Sequence, residues 1–128
     1  MLSTEFEGDV KSLTRLYKNA IMDASNPDSS IKKPVVILSG GEVEIKLPAY
    51  YGKGGRNSQF SLALAKAIDG MEGVTALSAD TDGIDGTEDN AGAIIDENTL
   101  LKIRNKNLSP DKLLLENNSY YAFRSSGQ

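Results

Sequence analysis

Apolar positions at helical spacing run from residue 9 to residue 24. They recur every three or four residues, which places them on one face of a helix: Val10, Leu13, Leu16, Tyr17, Ala20, Ile21 and Ala24. Pro27 follows Asn26, and a residue before proline avoids helical backbone angles, so the helix is expected to end there. The same spacing predicts a second helix over residues 57–67.

The stretch between these helices carries two strand patterns. Residues 35–38 are a continuous, mostly β-branched apolar run, which predicts a strand buried on both faces that ends at Ser39-Gly40-Gly41. Residues 42–47 alternate strictly between polar and apolar side chains, which is typical of a half-buried strand. Two further short strands are predicted at residues 74–79 and 93–95.

The last third of the chain is predicted to be mostly helical. Asp96 can cap a helix that runs to about Lys106, and Ser109-Pro110 has the residue types of a helix start. Tyr120, Tyr121 and Phe123 form a final apolar cluster, which is expected to lie exposed or to recruit another chain, and so to favour self-association or dependence on a partner. Residues 124–128 show no pattern.

The alternation of helices and strands predicts an α/β protein. The expected architecture is layered, with a mixed, partly parallel sheet and flanking helices. A length of 128 residues suits one domain. Residues 1–34 are expected to lead into a domain over residues 35–123, followed by the unpatterned tail.

Composition excludes several classes of function. The chain has 14 Lys and Arg against 18 Asp and Glu, and no basic face is visible, which argues against nucleic-acid binding. It has no Cys and no His, which excludes a Cys/His zinc site, a thiol nucleophile and a His-based triad. The start has no apolar leader and no run is long enough to span a membrane, so a cytoplasmic protein without membrane contact is predicted.

A glycine-rich stretch precedes the second predicted helix. Gly52, Gly54 and Gly55 would let the backbone approach a ligand, and the start of a helix favours an anion. Arg56 can hold a carboxylate or phosphate through two parallel hydrogen bonds. The stretch is neither a Walker A loop nor a dinucleotide fingerprint. A flexible connector with a solvated arginine is the alternative.

An acidic stretch follows the predicted strand at residues 74–79. Residues 80–89 hold five acidic side chains, and ligands of α/β proteins bind at the carboxyl ends of strands. The carboxylates are not spaced as in a calcium loop, so the stretch is not expected to hold calcium by itself. A series of Asp- and Gly-based turns is the alternative, and the identity of any metal ligand stays open.

Five segments in a fixed order resemble the MOFRL domain of the glycerate kinase family: Ser39-Gly40-Gly41-Glu42, Gly54-Gly55-Arg56-Asn57-x-Gln59-Phe60, Leu77-Ser78-Ala79-x-Thr81-Asp82-Gly83-Ile84-Asp85-Gly86, Asp89-x-Ala91-Gly92-Ala93 and Asn117-x-Ser119-Tyr120. The resemblance implies the truncated C-terminal domain of a two-domain kinase. Asp80 stands where the family usually has Gly, and Asn118 where it usually has Asp.

The resemblance also implies an activity and a site. Such kinases transfer phosphate from ATP to D-glycerate with Mg²⁺, in a cleft shared with a larger N-terminal domain. Substrate or anion binding would fall to Gly54, Gly55, Arg56 and Asn57, and the cleft would be lined by Thr81, Asp82, Asp85 and Asn117. Some members are labelled hydroxypyruvate reductases, but this chain has no dinucleotide fingerprint.

No catalytic residue is assigned on this chain. The resemblance implies a catalytic Lys on the N-terminal domain, so the chain is expected to be inactive alone. A separate kinase-domain chain and a second copy of this chain are the two partners that the sequence leaves open. A phosphate-binding module without catalysis and a remnant without activity are the alternatives.

Overall fold

The computed structural model describes residues 3–128, with side chains from Glu7 onward. The elements follow one another in this order: β1 (Ser3–Asp9), α1 (Val10–Ser25), β2 (Ser39–Glu44), α2 (Arg56–Ala67), β3 (Ala76–Ala79), β4 (Gly92–Ile95), α3 (Thr99–Arg104), α4 (Pro110–Leu115) and α5 (Ser119–Ser126). The predicted α/β class is confirmed.

The described strands form two small sheets. β1 and β2 pair in parallel, with α1 in the connection between them. β3 and β4 pair antiparallel and are joined by the acidic stretch. The prediction of a mixed, partly parallel arrangement is therefore confirmed, although the sequence patterns did not predict β1.

The helix starts follow from local capping. Asp9 accepts a hydrogen bond from the backbone N–H of Ser12 at 2.7 Å, and this bond lowers the pKa of the Asp9 carboxyl. Ser109 caps α4 by accepting from the backbone N–H of Lys112, with Pro110 at the first helical position. None of the helices within residues 3–128 has the length and apolar composition needed to cross a membrane.

The predicted buried strand at residues 35–38 is wrong. These residues are outside any strand, and Val36 and Leu38 are 77% and 61% exposed. A β-branched run is buried on both faces only where other layers cover it, and the described residues provide no such layers. Ser39-Gly40-Gly41, expected to break a strand, instead begins β2, which ends at Glu44.

Helix α2 lies at the centre of the core. It packs against α1, β3, β4 and all three C-terminal helices, and it is buried around most of its circumference. Its small buried polar residues Ser58 and Ser61 allow neighbouring segments to approach closely. The main buried apolar side chains are Leu13, Ile21, Phe60, Leu62, Leu64, Ile68, Ile95, Leu100, Ile103, Leu113 and Phe123. The residues at the start of α2 are thus held by the best-packed part of the fold.

The C-terminal residues depart from two expectations. Phe123 is only 3% exposed, so the predicted exposed cluster of three aromatic side chains is wrong, and Tyr121 alone of the three is largely exposed. α5 continues to Ser126, which makes residues 124–126 helical, and the side chain of Gln128 donates to Thr99 Oγ1 at 2.8 Å. α3 begins at Thr99, three residues after the predicted cap Asp96.

Candidate functional site

Three segments that are distant in sequence meet at the start of α2. They are the glycine loop (residues 52–55), the acidic loop (residues 80–91) and the C-terminal turn (residues 116–120). Gly52 N–H donates to Glu116 O at 2.7 Å, and Tyr120 N–H donates to Lys53 O at 3.0 Å. The Lys53 N–H also donates to Asn118 Oδ1 at 3.1 Å. The glycine loop is therefore fixed to the C-terminal turn along its length.

Asp85 caps α2 from the acidic loop. Its side chain is fully buried, and its oxygens accept from the backbone N–H groups of Asn57 and Ser58 at 2.8 and 2.7 Å. The Ser58 hydroxyl adds a third bond at 2.6 Å. The two N–H groups that the sequence offered to an anion are thus already bound to an internal carboxylate. Asp85, predicted to line a cleft, is a buried part of the scaffold.

Asn57 links α2 to the strand end and the acidic loop. Its side-chain Nδ2 donates to Asp80 Oδ2 at 3.1 Å, and its Oδ1 accepts from the Ser78 hydroxyl at 2.6 Å. Both ends of the amide have partners within the protein. Its predicted contact with an anion stays a prediction.

The glycines of the glycine loop are required by their neighbours in the fold. A Cβ at Gly52 would collide with the side chain of Asn118, and one at Gly54 would collide with the Ser119 hydroxyl. A Cβ at Gly55 would collide with the Asp85 carboxylate and backbone. These residues therefore allow close contact between three loops, whereas the sequence suggested close contact with a ligand.

A cavity of about 1030 Å³ opens beside the glycine loop. It is lined by parts of β1 and β2, by Gly54, Gly55 and Arg56, and by residues 86–88 of the acidic loop. Its charged lining residues are four carboxylates and two cations: Glu7, Glu42, Glu44, Glu88, Lys46 and Arg56. This wall is acidic overall, so an anion bound here depends on Arg56 and on positive charge from elsewhere.

Arg56 lies at the boundary between this cavity and a second one. The second cavity, of about 620 Å³, lies between α1, β2 and β3 and is lined by Arg56, Asn57, Asp80 and Thr81 among others. The guanidinium Nη1 of Arg56 is 2.8 Å from Glu42 Oε2, and the Arg56 side chain is 54% exposed. Sequence reasoning did not identify Glu42 as the partner of Arg56, because residues 14 positions apart in different elements give no local signal.

The remaining predicted cleft residues are dispersed. Thr81 lines the second cavity, whereas Asp82, Asp85 and Asn117 line neither of the two. Asp82 is exposed and accepts from the Ile84 N–H at 2.9 Å, which is a local turn contact. Asn117 is mostly buried, and its φ of 46° turns the chain between α4 and α5. The cleft-lining role predicted for these two residues and for Thr81 and Asp85 stays a prediction.

Side chains from α5 and from the glycine loop contact the acidic loop and hold it in place. Tyr120 OH donates to Asp89 Oδ1 at 2.5 Å, which lowers the pKa of the Asp89 carboxyl and raises that of the Tyr120 phenol. Arg124 Nη1 donates to Tyr120 OH at 2.6 Å. Lys53 Nζ lies 3.6 Å from the mostly buried carboxylate of Glu88. The contacts of Tyr120 with Asp89 and of Lys53 with Glu88 join segments that are more than 30 positions apart, so the sequence patterns did not reveal them.

The fit of the acidic loop to a magnesium ion is poor. Within the part of the chain that the structure describes, no three acidic side chains form a group that could hold a metal ion. Asp80, Asp85 and Asp89 accept hydrogen bonds from protein donors, and Glu88 pairs with Lys53. The arrangement fits a loop of turns stabilised by internal donors.

Comparison with known proteins places the chain in a family. The sequence profile of the MOFRL family matches residues 35–128. The chain is 41% identical, over 98% of its length, to 33% of an Agrobacterium vitis protein whose name proposes a hydroxypyruvate reductase. It is 33% identical to a D-glycerate 2-kinase from Thermotoga maritima, in a match that covers 99% of the chain and 30% of that enzyme.

Solved structures give the same result. A crystal structure of glycerate kinase from Thermotoga maritima matches 98% of this chain with a TM-score of 0.91 and 33% identity, over 30% of that chain. A protein of Pyrococcus horikoshii matches with a TM-score of 0.89 and 32% identity, over 98% of this chain and 29% of that one. The chain thus spans about a third of the length of these relatives. On sequence and fold together, the chain belongs to the MOFRL family.

Proposed function

We propose that this chain forms one wall of the active-site cleft of a glycerate kinase, which transfers phosphate from ATP to D-glycerate. The observation that carries the proposal is the position of Arg56. Its half-exposed guanidinium lies at the boundary of two cavities, on a helix whose start is fixed by a buried carboxylate. The names of the relatives as glycerate 2-kinases support this assignment and favour 2-phosphoglycerate as the product.

The geometry suits positioning of an anionic substrate. Phosphoryl transfer depends mainly on orientation and on charge neutralisation, which requires little covalent chemistry from the protein. The planar Arg56 guanidinium would hold the carboxylate of glycerate or a phosphate oxygen through charge-assisted hydrogen bonds. The fixed glycine loop and the Asp85 cap would keep the backbone of Arg56 in place, so that little ordering is needed on binding. The acidic remainder of this wall requires that the opposite wall be basic.

A kinase is preferred to a reductase for a physical reason. Hydride transfer needs a bound dinucleotide, whose pyrophosphate is usually received by a glycine-rich turn between a strand and the start of a helix. Here the glycine loop is packed against Asn118, Ser119 and Asp85, and the first N–H groups of α2 are used by Asp85. That start of α2 is therefore closed to a pyrophosphate.

The isolated chain is expected to show no glycerate kinase activity. A cleft needs two walls, and this chain matches only about 30% of the kinases named above. The test is release of ADP by the purified chain with ATP, Mg²⁺ and D-glycerate. Turnover clearly above that of buffer, and lost in the Arg56→Ala variant, would show that the chain needs no second wall.

A chimera tests the wall directly. The matching segment of the Thermotoga maritima D-glycerate 2-kinase is replaced by this chain, which shares the fold of that segment. We expect the chimera to phosphorylate D-glycerate and its Arg56→Ala variant to lose roughly tenfold to hundredfold in kcat/KM, the value of a charged hydrogen bond. Steady-state kinetics with varied glycerate and ATP measure the kcat/KM of the chimera and of its Arg56→Ala variant.

Arg104→Ala provides the matched control for the chimera. Arg104 is an exposed arginine in an ion pair with Asp69, and it lines neither cavity. Its removal is expected to leave kcat/KM within about twofold, because a loss at an exposed ion pair away from both cavities affects stability slightly and the site not at all. A folded chimera that binds glycerate and ATP without turnover would favour a non-catalytic phosphate-binding module. Equal losses from Arg56→Ala and Arg104→Ala would remove Arg56 from the site.

A further inference from the structure

An ion pair joins Arg56, the residue proposed to bind the anion, to Glu42. We propose that Glu42 competes with the anionic ligand for Arg56 and so sets the affinity of the site. This inference rests on the proposed function, in which Arg56 binds a carboxylate or phosphate. It adds a residue that weakens ligand binding in the free protein and that must release Arg56 when the ligand enters.

The geometry makes Glu42 a direct competitor. Glu42 Oε2 lies 2.8 Å from Arg56 Nη1, which is the distance that a ligand oxygen would take at the same nitrogen. Among the described residues, Glu42 is the one side chain that forms a hydrogen bond or an ion pair with the Arg56 guanidinium. Both residues line both cavities, so a ligand entering from either side meets the pair.

The same geometry allows Glu42 to release Arg56 when a ligand binds. Both side chains are largely exposed, at 54% for Arg56 and 82% for Glu42. Exposed ion pairs contribute little because water competes for both partners and the side chains lose freedom. The pair therefore restrains Arg56 by a factor of only about two to five in affinity, the range of measured exposed pairs. A ligand with better geometry than a single contact can displace it.

Glu44 separates competition from general repulsion. It is exposed and lines the large cavity as Glu42 does, but it does not contact Arg56. Glu42→Gln and Glu44→Gln remove the same charge from the same wall. Competition predicts a larger gain in affinity for Glu42→Gln, because only that change frees the guanidinium.

The experiment measures binding of inorganic phosphate to the purified chain at constant ionic strength, by calorimetry and by chemical-shift titration. We expect Glu42→Gln to bind phosphate about two- to fivefold more tightly than the wild type, with a much smaller gain for Glu44→Gln and no binding for Arg56→Ala. The advantage of Glu42→Gln should shrink at high salt, because exposed pairs are screened. Glu42→Ala is measured in parallel, since it removes the acceptor altogether.

The outcomes separate this inference from the proposed function. Loss of binding in Arg56→Ala with equal affinities for Glu42→Gln and Glu44→Gln would leave the anion site in place and overturn the competition. Unchanged binding in Arg56→Ala would overturn both. No binding in any variant would overturn the competition on this chain and leave the two-walled cleft in place. Thermal melting of each variant shows that the fold is retained, which is expected because Glu42 is exposed on β2.

Discussion

Replacement of Asp85 by alanine is expected to lower the free energy of unfolding by about 3–5 kcal/mol, because three donors, two of them fully buried, lose their acceptor. An exposed N-cap is typically worth about 1 kcal/mol. The stabilisation from Asp85 is expected to be larger because its carboxylate is fully buried and accepts from two backbone N–H groups and one hydroxyl at 2.6–2.8 Å. The start of α2, and with it Arg56, should lose its fixed position.

Urea denaturation of the wild type and the variant measures this loss. Asp82→Ala is the matched control, since Asp82 is an exposed carboxylate of the same loop that accepts one local backbone bond. Its cost is expected to stay below about 1 kcal/mol. Similar losses of unfolding free energy for the two variants would show that the hydrogen bonds of Asp85 stabilise the fold no more than the exposed bond of Asp82 does. Asp85→Asn, which keeps one acceptor oxygen, should lie between the alanine variant and the wild type.

Replacement of Gly55 by alanine is the second large effect, with an expected loss of about 3 kcal/mol from overpacking. The added methyl group would collide with the side chain and the backbone of Asp85, so the loops must move apart. The backbone of Gly55 has a φ of −103°, which alanine adopts without strain. The whole cost therefore comes from packing between the loops.

Gly73→Ala provides the complementary control. Gly73 has a φ of 72°, and a Cβ there would meet no atom within 4 Å. Its expected cost is about 1 kcal/mol and comes from backbone conformation alone. Chemical denaturation of both variants compares the two mechanisms. A cost for Gly55→Ala no greater than that for Gly73→Ala would mean that the loops adjust easily.

Local chemistry explains which parts of the fold the sequence predicted well. The limits of α1 and α2 fall within one residue of the prediction, because periodicity and capping are encoded by neighbouring residues. The start of α4 at Ser109-Pro110 is predicted for the same reason. Residues 35–38 were mispredicted because burial of a strand depends on what covers it, which neighbouring residues do not encode.

The candidate site shows the same division. Sequence patterns identified the glycine loop and the acidic loop, and only the family resemblance pointed to the C-terminal turn. The structure brings all three together. The sequence patterns did not reveal that Asp85 serves as an internal cap for a helix that begins 29 positions earlier, or that Glu42 forms an ion pair with Arg56. Such roles depend on contacts between distant segments. The sequence pointed to Arg56 from its neighbours alone, and its role as an anion-binding residue stays a prediction.

The close contacts of the glycine loop limit how this family can vary. The cost of a side chain at Gly52 depends on the residue at position 118, and that at Gly54 depends in part on the residue at position 119, because the nearest atoms in both cases belong to the neighbouring side chain. Substitutions in the three loops are therefore accepted in combination more readily than singly. Related sequences should show correlated changes between these pairs of positions, and such correlations would locate the loop junction in members whose structures have not been determined.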